Sequence, residues 1–379
     1  MVDFSFENIF DEKYDFFATI FEYLIKDYNK DGGGKYAEYY TPHAVAKIMA
    51  DILVTESVRN VSCYDPSAGS GTLLMSLAHA IGEDRCSIYS QDISQKSSSL
   101  LRLNLILNNL VHSISNIVQG NTIKDPYHKG ATDQLEKFDF IVSNPPFNLD
   151  FSDWRDDIDS KTNNDRFFAG IPKVPPKKKD SMAIYTLFIQ HIIYSLNKNG
   201  KAAIVVPTSF VTKSGIPKLI REHIIEEEIL EGVVSMPSNI FANTPTSVSI
   251  IFLNKSAKKI VLIDASKLGS IIKENGNQKT ILSTQEETNI ITTFNSKQSV
   301  SDFSVALEPS SIRNKNYSFS AGQYFDVKIE YSKVSPDDFK KKLNSLLSDL
   351  ENSESKSATL KKNIIINLKN ISYDSPEQT

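Results

Sequence analysis

Apolar runs that end in a turn motif and then give way to an amphipathic helix recur along most of this chain. That alternation restricts its fold more than any other feature. Asn60 to Tyr64 is the first run, closed by Asp65-Pro66-Ser67-Ala68-Gly69-Ser70-Gly71 and followed by a helix from Thr72 to Ala80. Ser87 to Tyr89 is a second, ending near Asp92, with a helix over 95–110, and Ser115 to Gln119 is a third. Phe138 to Ser143 is a fourth, closed by Asn144-Pro145-Pro146-Phe147. A helix over 181–196 precedes a fifth strand, Lys201 to Val206, which Pro207 ends, and a helix over 215–228 follows. This order predicts an α/β fold, a parallel core with helices on both faces. Ligands in such folds lie at the carboxyl ends of the strands, where both turn motifs fall.

Ahead of the first strand, Val45, Ile48, Met49, Ile52 and Leu53 form the apolar stripe of a helix over 43–56. Earlier still, an aromatic-rich helical segment, Tyr14 to Tyr28, is broken by Asp31-Gly32-Gly33-Gly34. Val233 to Met236 and Ser247 to Leu253 add two strands, the second expected as an antiparallel edge of a mixed sheet. Residues 258–325 read as mixed and polar, with a small strand at Ile260 to Ile263. Past Pro336 the chain reads as helical and charged. Leu343, Leu346, Leu347 and Leu350 form one stripe, 351–357 a polar break, and Leu360 to Leu368 a second helical stretch. The predicted organisation is a short N-terminal helical segment (1–40), a catalytic domain (41–256), a mixed polar extension (257–330) and a C-terminal helical region that packs or docks a partner (331–379).

Hydrophobic residues make up 40% of the 379, ordinary for a globular chain. No run approaches the roughly 20 apolar residues of a membrane helix, and the N-terminus lacks a signal-peptide pattern. Cys63 and Cys86 sit in or beside predicted core strands and read as buried thiols, with no metal-ligand spacing. These features fit the cytoplasm and predict no metal. The formal net charge is −4. A protein that grips a duplex alone carries a clear positive excess, so if nucleic acid is the substrate, local basic patches or a partner must supply part of the grip.

The glycines of Ala68-Gly69-Ser70-Gly71 permit a tight turn and close backbone approach. The motif is not Gly-x-Gly-x-x-Gly, and no Lys-Ser/Thr pair follows it for a phosphate. A phosphate-free nucleoside cofactor fits better, and S-adenosyl-L-methionine is that molecule. Asp65 at the first strand end is placed to receive the cofactor's amino group. Asp92 at the second is placed to accept both ribose hydroxyls. Asn121, after Gly120, either meets the adenine edge or forms a plain turn pair. Thr41 is expected to cap the helix over 43–56 with Pro42 at its first position, and the same hydroxyl and helix end can bind the methionine carboxylate. Tyr40, Ser67, Gly69, Ser70, Gly71 and Asn144 complete the expected cofactor contacts.

Asn144-Pro145-Pro146-Phe147 carries the chemical signal. An exocyclic amine is a poor nucleophile because its lone pair is delocalised into the ring. Two acceptors aimed at its hydrogens, the Asn144 side-chain oxygen and the Pro145 carbonyl, favour a more tetrahedral nitrogen as positive charge develops. Pro145 and Pro146 stiffen the turn, and Phe147 can stack on a flipped base. Neither cysteine lies in a Pro-Cys pair, which disfavours covalent attack at cytosine carbon 5. The long polar loop from Asn148 to Asp180, with Trp154, Arg155, Arg166, Phe167, Phe168 and Lys177-Lys178-Lys179, suits backbone grip and strand separation or is a solvated cluster. Phe210 and Phe241, also near strand ends, line the base pocket or pack loops.

These motifs together resemble the modification subunits of type I restriction–modification systems, adenine-N6 DNA methyltransferases of the gamma order. The resemblance rests on Tyr39-Tyr40-Thr41-Pro42, Asp65 to Gly71, Gly120-Asn121-Thr122 and Asn144 to Asn148. It is reinforced by Gly200 to Pro207, Ile220-Arg221 and Met236 to Phe241. It implies a Rossmann-like methyltransferase fold with flanking helical segments, Thr41 and Asp92 serving the cofactor, and Asn144 to Phe147 as the catalytic loop. It further implies a specificity subunit that reads the DNA target, a second methyltransferase subunit, and in some complexes a restriction subunit. Family members carry a sizeable helical domain before the Tyr-Thr-Pro segment, whereas residues 1–38 alone precede Tyr39 here. Other readings stay open on the same residues: a standalone or phage-defence enzyme, cytosine N4 as target, an RNA or protein amide methyltransferase, or an inactive assembly scaffold.

Overall fold

The computed structural model describes residues 41–130, 132–160, 163–241, 247–256, 259–274, 277–325 and 335–369. The expected N-terminal helical segment and Tyr40 lie outside them. Two compact units are present, one ending at Phe325 and the other spanning Asp326–Thr379.

In the first unit the chain runs α1 (His43–Leu53), β1 (Val61–Asp65), α2 (Thr72–Ile81), β2 (Cys86–Asp92), α3 (Gln95–Leu107), β3 (Ile117–Gln119) and β4 (Phe138–Ser143). It continues through the short α4 (Arg155–Ile158), α5 (Tyr185–Ser195), β5 (Leu196–Pro207), α6 (Ile216–Glu226), β6 (Leu230–Ser235), β7 (Val248–Asn254) and β8 (Ile260–Asp264). A small hairpin, β9 (Ser270–Glu274) and β10 (Asn277–Ile281), precedes α7 (Thr284–Asn295), β11 (Ser304–Leu307) and α8 (Pro309–Asn314). Among the described residues nine strands form one sheet in the order β11-β8-β6-β7-β5-β4-β1-β2-β3. The β3-β2-β1-β4-β5 portion is wholly parallel.

From β1 the chain builds outward to β2 and β3, then returns to place β4 on the other side of β1. The strand order therefore reverses between β1 and β4, and the crevice outside their carboxyl ends is where such sheets take ligands. The two turn motifs leave from these two strands. Side chains alternate between two buried clusters, one on each sheet face. Cys63, Ile88, Phe140, Val142, Ala203 and Val205 point toward α1, α2 and α3. Tyr64, Ile141, Ala202 and Ile204 point toward α5 and α6. Both thiols are buried and free.

Three expectations are corrected. β7 is antiparallel to β5 and β6 but lies between them, not at an edge. Its seven residues are all buried, as the continuous apolar run Val248 to Leu253 requires of a strand covered on both faces. The expected extension over 257–330 is not separate in its described residues up to Phe325, because β8 pairs parallel with β6, and β11 pairs with β8. In the second unit α9 (Pro336–Lys369) is one continuous helix of 34 residues through the expected break at 351–357. The Glu, Asn, Ser and Lys residues there include no Gly or Pro to stop it. No helix among the described residues is long and apolar enough to cross a membrane.

Candidate active site

The loop after β1 is fixed by its own backbone. Gly69 and Gly71 have φ of +53° and +90°, and Gly71 N–H donates to Ala68 O at 2.8 Å. A Cβ on Gly71 would come within 2.3 Å of Leu101 Cδ1, so both its dihedral and α3 demand glycine. At Gly69, by contrast, a Cβ would meet nothing within 4 Å, so the loop faces open space there.

Asp92, half-buried at the end of β2, accepts from Gly69 N–H at 2.9 Å through Oδ2 and from Ser94 N–H at 2.8 Å through Oδ1. Asp65 is buried, and its Oδ1 accepts from Ser67 N–H at 2.9 Å. Burial raises its pKa to about 7, against the lowering effect of hydrogen bonds from Ser67 and Ser143. Ser67 and Ser143 hydroxyls lie 2.7 Å apart. Ser143 thereby bridges the β1 loop to the residue preceding Asn144. Sequence reasoning missed it; its place as the last residue of an apolar strand was the available signal.

The loop after β3 joins the same assembly. Thr122 donates to Pro66 O at 2.7 Å, and Gly120 N–H donates to Asp92 O at 2.8 Å. Asn121 Oδ1 accepts from Ile123 and Lys124 N–H at 3.0 and 3.1 Å, so its side-chain oxygen holds a local turn. Ser70 Oγ lies 3.3 Å from Thr72 Oγ1, and Ser70 O accepts from Asn104 Nδ2.

On the other side of the crevice, Asn144 Nδ2 donates to Thr41 Oγ1 at 3.1 Å across 103 positions of sequence. With Nδ2 turned to Thr41, Oδ1 is left as acceptor. Thr41 is buried and does not cap α1. Pro42 occupies the cap position, without a side-chain cap bond, and the helix begins at His43. The expected placement of Pro42 inside the helix was one residue off, and the hydroxyl is spent on Asn144 instead. Pro145 is buried, while Pro146 and Phe147 are half-buried. Phe147 meets Tyr185 edge-on, ring centroids 6.3 Å apart.

The segment from Asn148 to Asp180 is more ordered than its polarity suggested. Phe151, Ile158 and Phe167 pack with Ile123, Met182, Ile184, Leu187 and Phe188 in a third apolar cluster, with Trp154 against it. Arg166, expected in a loop that grips DNA or is merely solvated, is buried. It donates to Thr122 O at 2.7 Å, Ile123 O at 2.9 Å and His191 Nδ1 at 3.0 Å. Burial and the adjacent guanidinium hold His191 neutral, well below its ordinary pKa. Arg166 thus ties this lobe to the loop after β3. Arg155 pairs with Asp156 and Asp159, and Phe168 stacks on His223 at 3.8 Å. Lys177, Lys178 and Lys179 are exposed, as a phosphate contact requires.

Phe210 and Phe241 are corrected. Phe210 is fully buried under β5 and edge-on to Tyr185, and Phe241 is buried in the cluster of the opposite face. Neither offers an open ring face on which a base could stack. Among the described residues no group of three or more His, Cys, Asp or Glu is placed to hold a metal.

The model of the N-6 DNA Methylase family matches residues 12–333. The chain belongs to that family. Its sheet is the Rossmann-like arrangement of S-adenosylmethionine-dependent methyltransferases, with helices on both faces. It is 28% identical over 326 residues to the type I restriction enzyme MpnII methylase subunit of Mycoplasma pneumoniae, covering 83% of this chain and 58% of that one. It is 29% identical over 334 residues to the MjaIX methylase subunit of Methanocaldococcus jannaschii, covering 83% and 56%. The crystal structure of a type I restriction–modification methyltransferase subunit from Streptococcus thermophilus superimposes with a TM-score of 0.68 at 25% identity, over 83% of this chain and 65% of that one. The matched region thus spans less than three-fifths of the length of the two curated relatives.

Proposed function

We propose that this chain transfers a methyl group from S-adenosyl-L-methionine to the N6 amino group of a flipped adenine in DNA, as the modification subunit of a type I restriction–modification complex. The observation that carries the reading is Asn144. It leaves a buried strand at the reversal of strand order, and its amide nitrogen is hydrogen-bonded to Thr41.

The chemistry of the neighbouring groups suits the proposed co-substrate. Asp65 and Asp92 flank a turn that contains no basic residue, so a phosphate would meet like charge there. A cationic nucleoside with hydroxyl and amino donors would meet acceptors. Asp92, at the end of β2, is a carboxylate acceptor suited to ribose hydroxyls. When bound, S-adenosyl-L-methionine supplies an electrophilic methyl group. Asn144 Oδ1 and Pro145 O accept the two amino hydrogens and favour the nitrogen's tetrahedral form as charge develops. Phe147 stacks on the base. No side chain has to remove a proton before transfer, and the surplus proton leaves for water afterwards.

Lys177 to Lys179 contact backbone phosphates in this reading. The net charge of −4 supports a separate specificity subunit as the main DNA reader, alongside a second methyltransferase subunit and in some assemblies a restriction subunit. α9, whose leucines recur at helical spacing, is the proposed docking element.

Tritiated methyl transfer to unmethylated DNA, with and without a co-expressed specificity subunit, tests the reading once the labelled base is identified. Label in N6-methyladenine that requires the partner is the expected result. Label in another base, in RNA or in protein would overturn the assigned substrate. Cofactor binding without transfer to any of them would overturn the assigned activity.

A further inference from the structure

Tyr185 is the first residue of α5, and α5 runs directly into β5. β5 is parallel to its neighbour β4, so the helix returns the chain from the carboxyl edge of the sheet. Tyr185 is thereby set at the edge from which the Asn144 to Phe147 loop departs. Its ring stands edge-on to two aromatics there, Phe147 at 6.3 Å and 75° and Phe210 at 6.2 Å and 79°.

The hydroxyl is the anomaly. Tyr185 is 2% exposed, and its Oη has no hydrogen-bond partner among the described residues. A buried hydroxyl left unpaired is destabilising, and phenylalanine would fill the same space without that cost. Arg221, the nearby cation, already donates to the carbonyls of Phe210, Lys213 and Tyr317. Ser67, Ser143, Thr41 and Thr122, the other hydroxyls of the crevice, all have protein partners. A lone donor beside the ring assigned to stack on the base points to an acceptor that arrives with the substrate.

We propose that Tyr185 Oη is a specificity-determining donor to a ring nitrogen of the flipped base, next to the amino group held by Asn144 and Pro145. The inference rests on the methyltransferase reading above. Flanking the amino group, adenine offers N1, freed from its partner by flipping, and N7. Burial raises the phenol to about 12, so it stays protonated across the working range.

The test uses the full chain with its specificity subunit and a duplex bearing the site mapped by sequencing the methylated product. Y185F keeps the ring and removes only the hydroxyl. Its kcat/KM should fall roughly ten-fold, while S-adenosylmethionine affinity holds and Tm is unchanged or higher. Substituting 1-deazaadenine or 7-deazaadenine at the target then closes a double-mutant cycle. One analogue should penalise the wild type by that same factor and leave Y185F unaffected, which also names the nitrogen. Y185F activity equal to wild type, or both analogues penalising the two proteins alike, would overturn the assignment. A wild-type complex that fails to methylate the unmodified duplex would instead remove the reading on which it rests.

Discussion

On the β1 side of the crevice the carboxylates are already engaged. Asp92 holds Gly69 and Ser94, and Asp65 holds Ser67. Thr122 and Gly120 lock the loop after β3 to the same frame. On the β4 side, among the described residues, Asn144 makes one side-chain bond, to Thr41, and Tyr185 Oη makes none. The difference fits the two partners proposed for them. A co-substrate bound in every turnover is met by a shape fixed in advance. An extruded base must bring part of the bonding with it, because an open pocket cannot satisfy donors and acceptors that a duplex later supplies.

The largest effect expected of this division is at Asn144. N144A should lower methyl transfer by roughly 10²–10³-fold, the scale for losing one preorganised polar group at a reacting centre. Co-substrate affinity, read by calorimetry, should stay close to wild type, because the β1-side bonds are untouched. A parallel loss of affinity would merge the two sides into one and break the comparison.

Asp65 tests the locked side by pH. Its carboxyl titrates at about 7 in the fold against 3.8 when unperturbed, with burial the main cause. Between those values the folded state holds a proton that the unfolded state has lost. The contribution of Asp65 is therefore fully present below about pH 4, falls as pH rises toward 7, and is flat above. D65N keeps an acceptor for Ser67 N–H and should remove this slope from the denaturation profile of the ligand-free protein. An unchanged slope would mean that the carboxyl is ionised in the fold, and that the turn carries a full extra negative charge at neutral pH.

Much of this was legible in sequence where a local signal had one cause. β1, β4 and β5 follow from apolar runs ended by Gly or Pro turns, and the reversal of strand order brings the motifs after β1 and β4 together. What stayed hidden depended on partners far along the chain. β7 looked like an edge because nothing in Val248 to Leu253 announces β6 and β8 beyond it. Arg166 looked like part of a gripping or solvated surface loop because sequence does not show that the Thr122 and Ile123 carbonyls and His191 await it. Phe210 sat at a strand end, as a pocket residue would, yet its ring is turned into the core. The bond between Thr41 and Asn144 spans 103 positions, and local capping rules favoured a different use of the hydroxyl.

Thr41 is where the two sides meet, and it carries the smallest expected effect. Valine matches threonine in shape but offers no acceptor for Asn144 Nδ2. A net hydrogen bond contributes about 1 kcal/mol, so T41V should reduce transfer roughly five-fold. The way that loss divides assigns the residue. If Thr41 only orients the amide, kcat falls, the KM for S-adenosylmethionine holds, and T41S restores the rate. If the hydroxyl also binds the methionine carboxylate, KM rises as well, and Thr41 belongs to the locked side as much as to the open one. An unchanged kcat would show that Asn144 is held by its strand and the two prolines alone, and the open side would then be stiffer than its single side-chain bond implies.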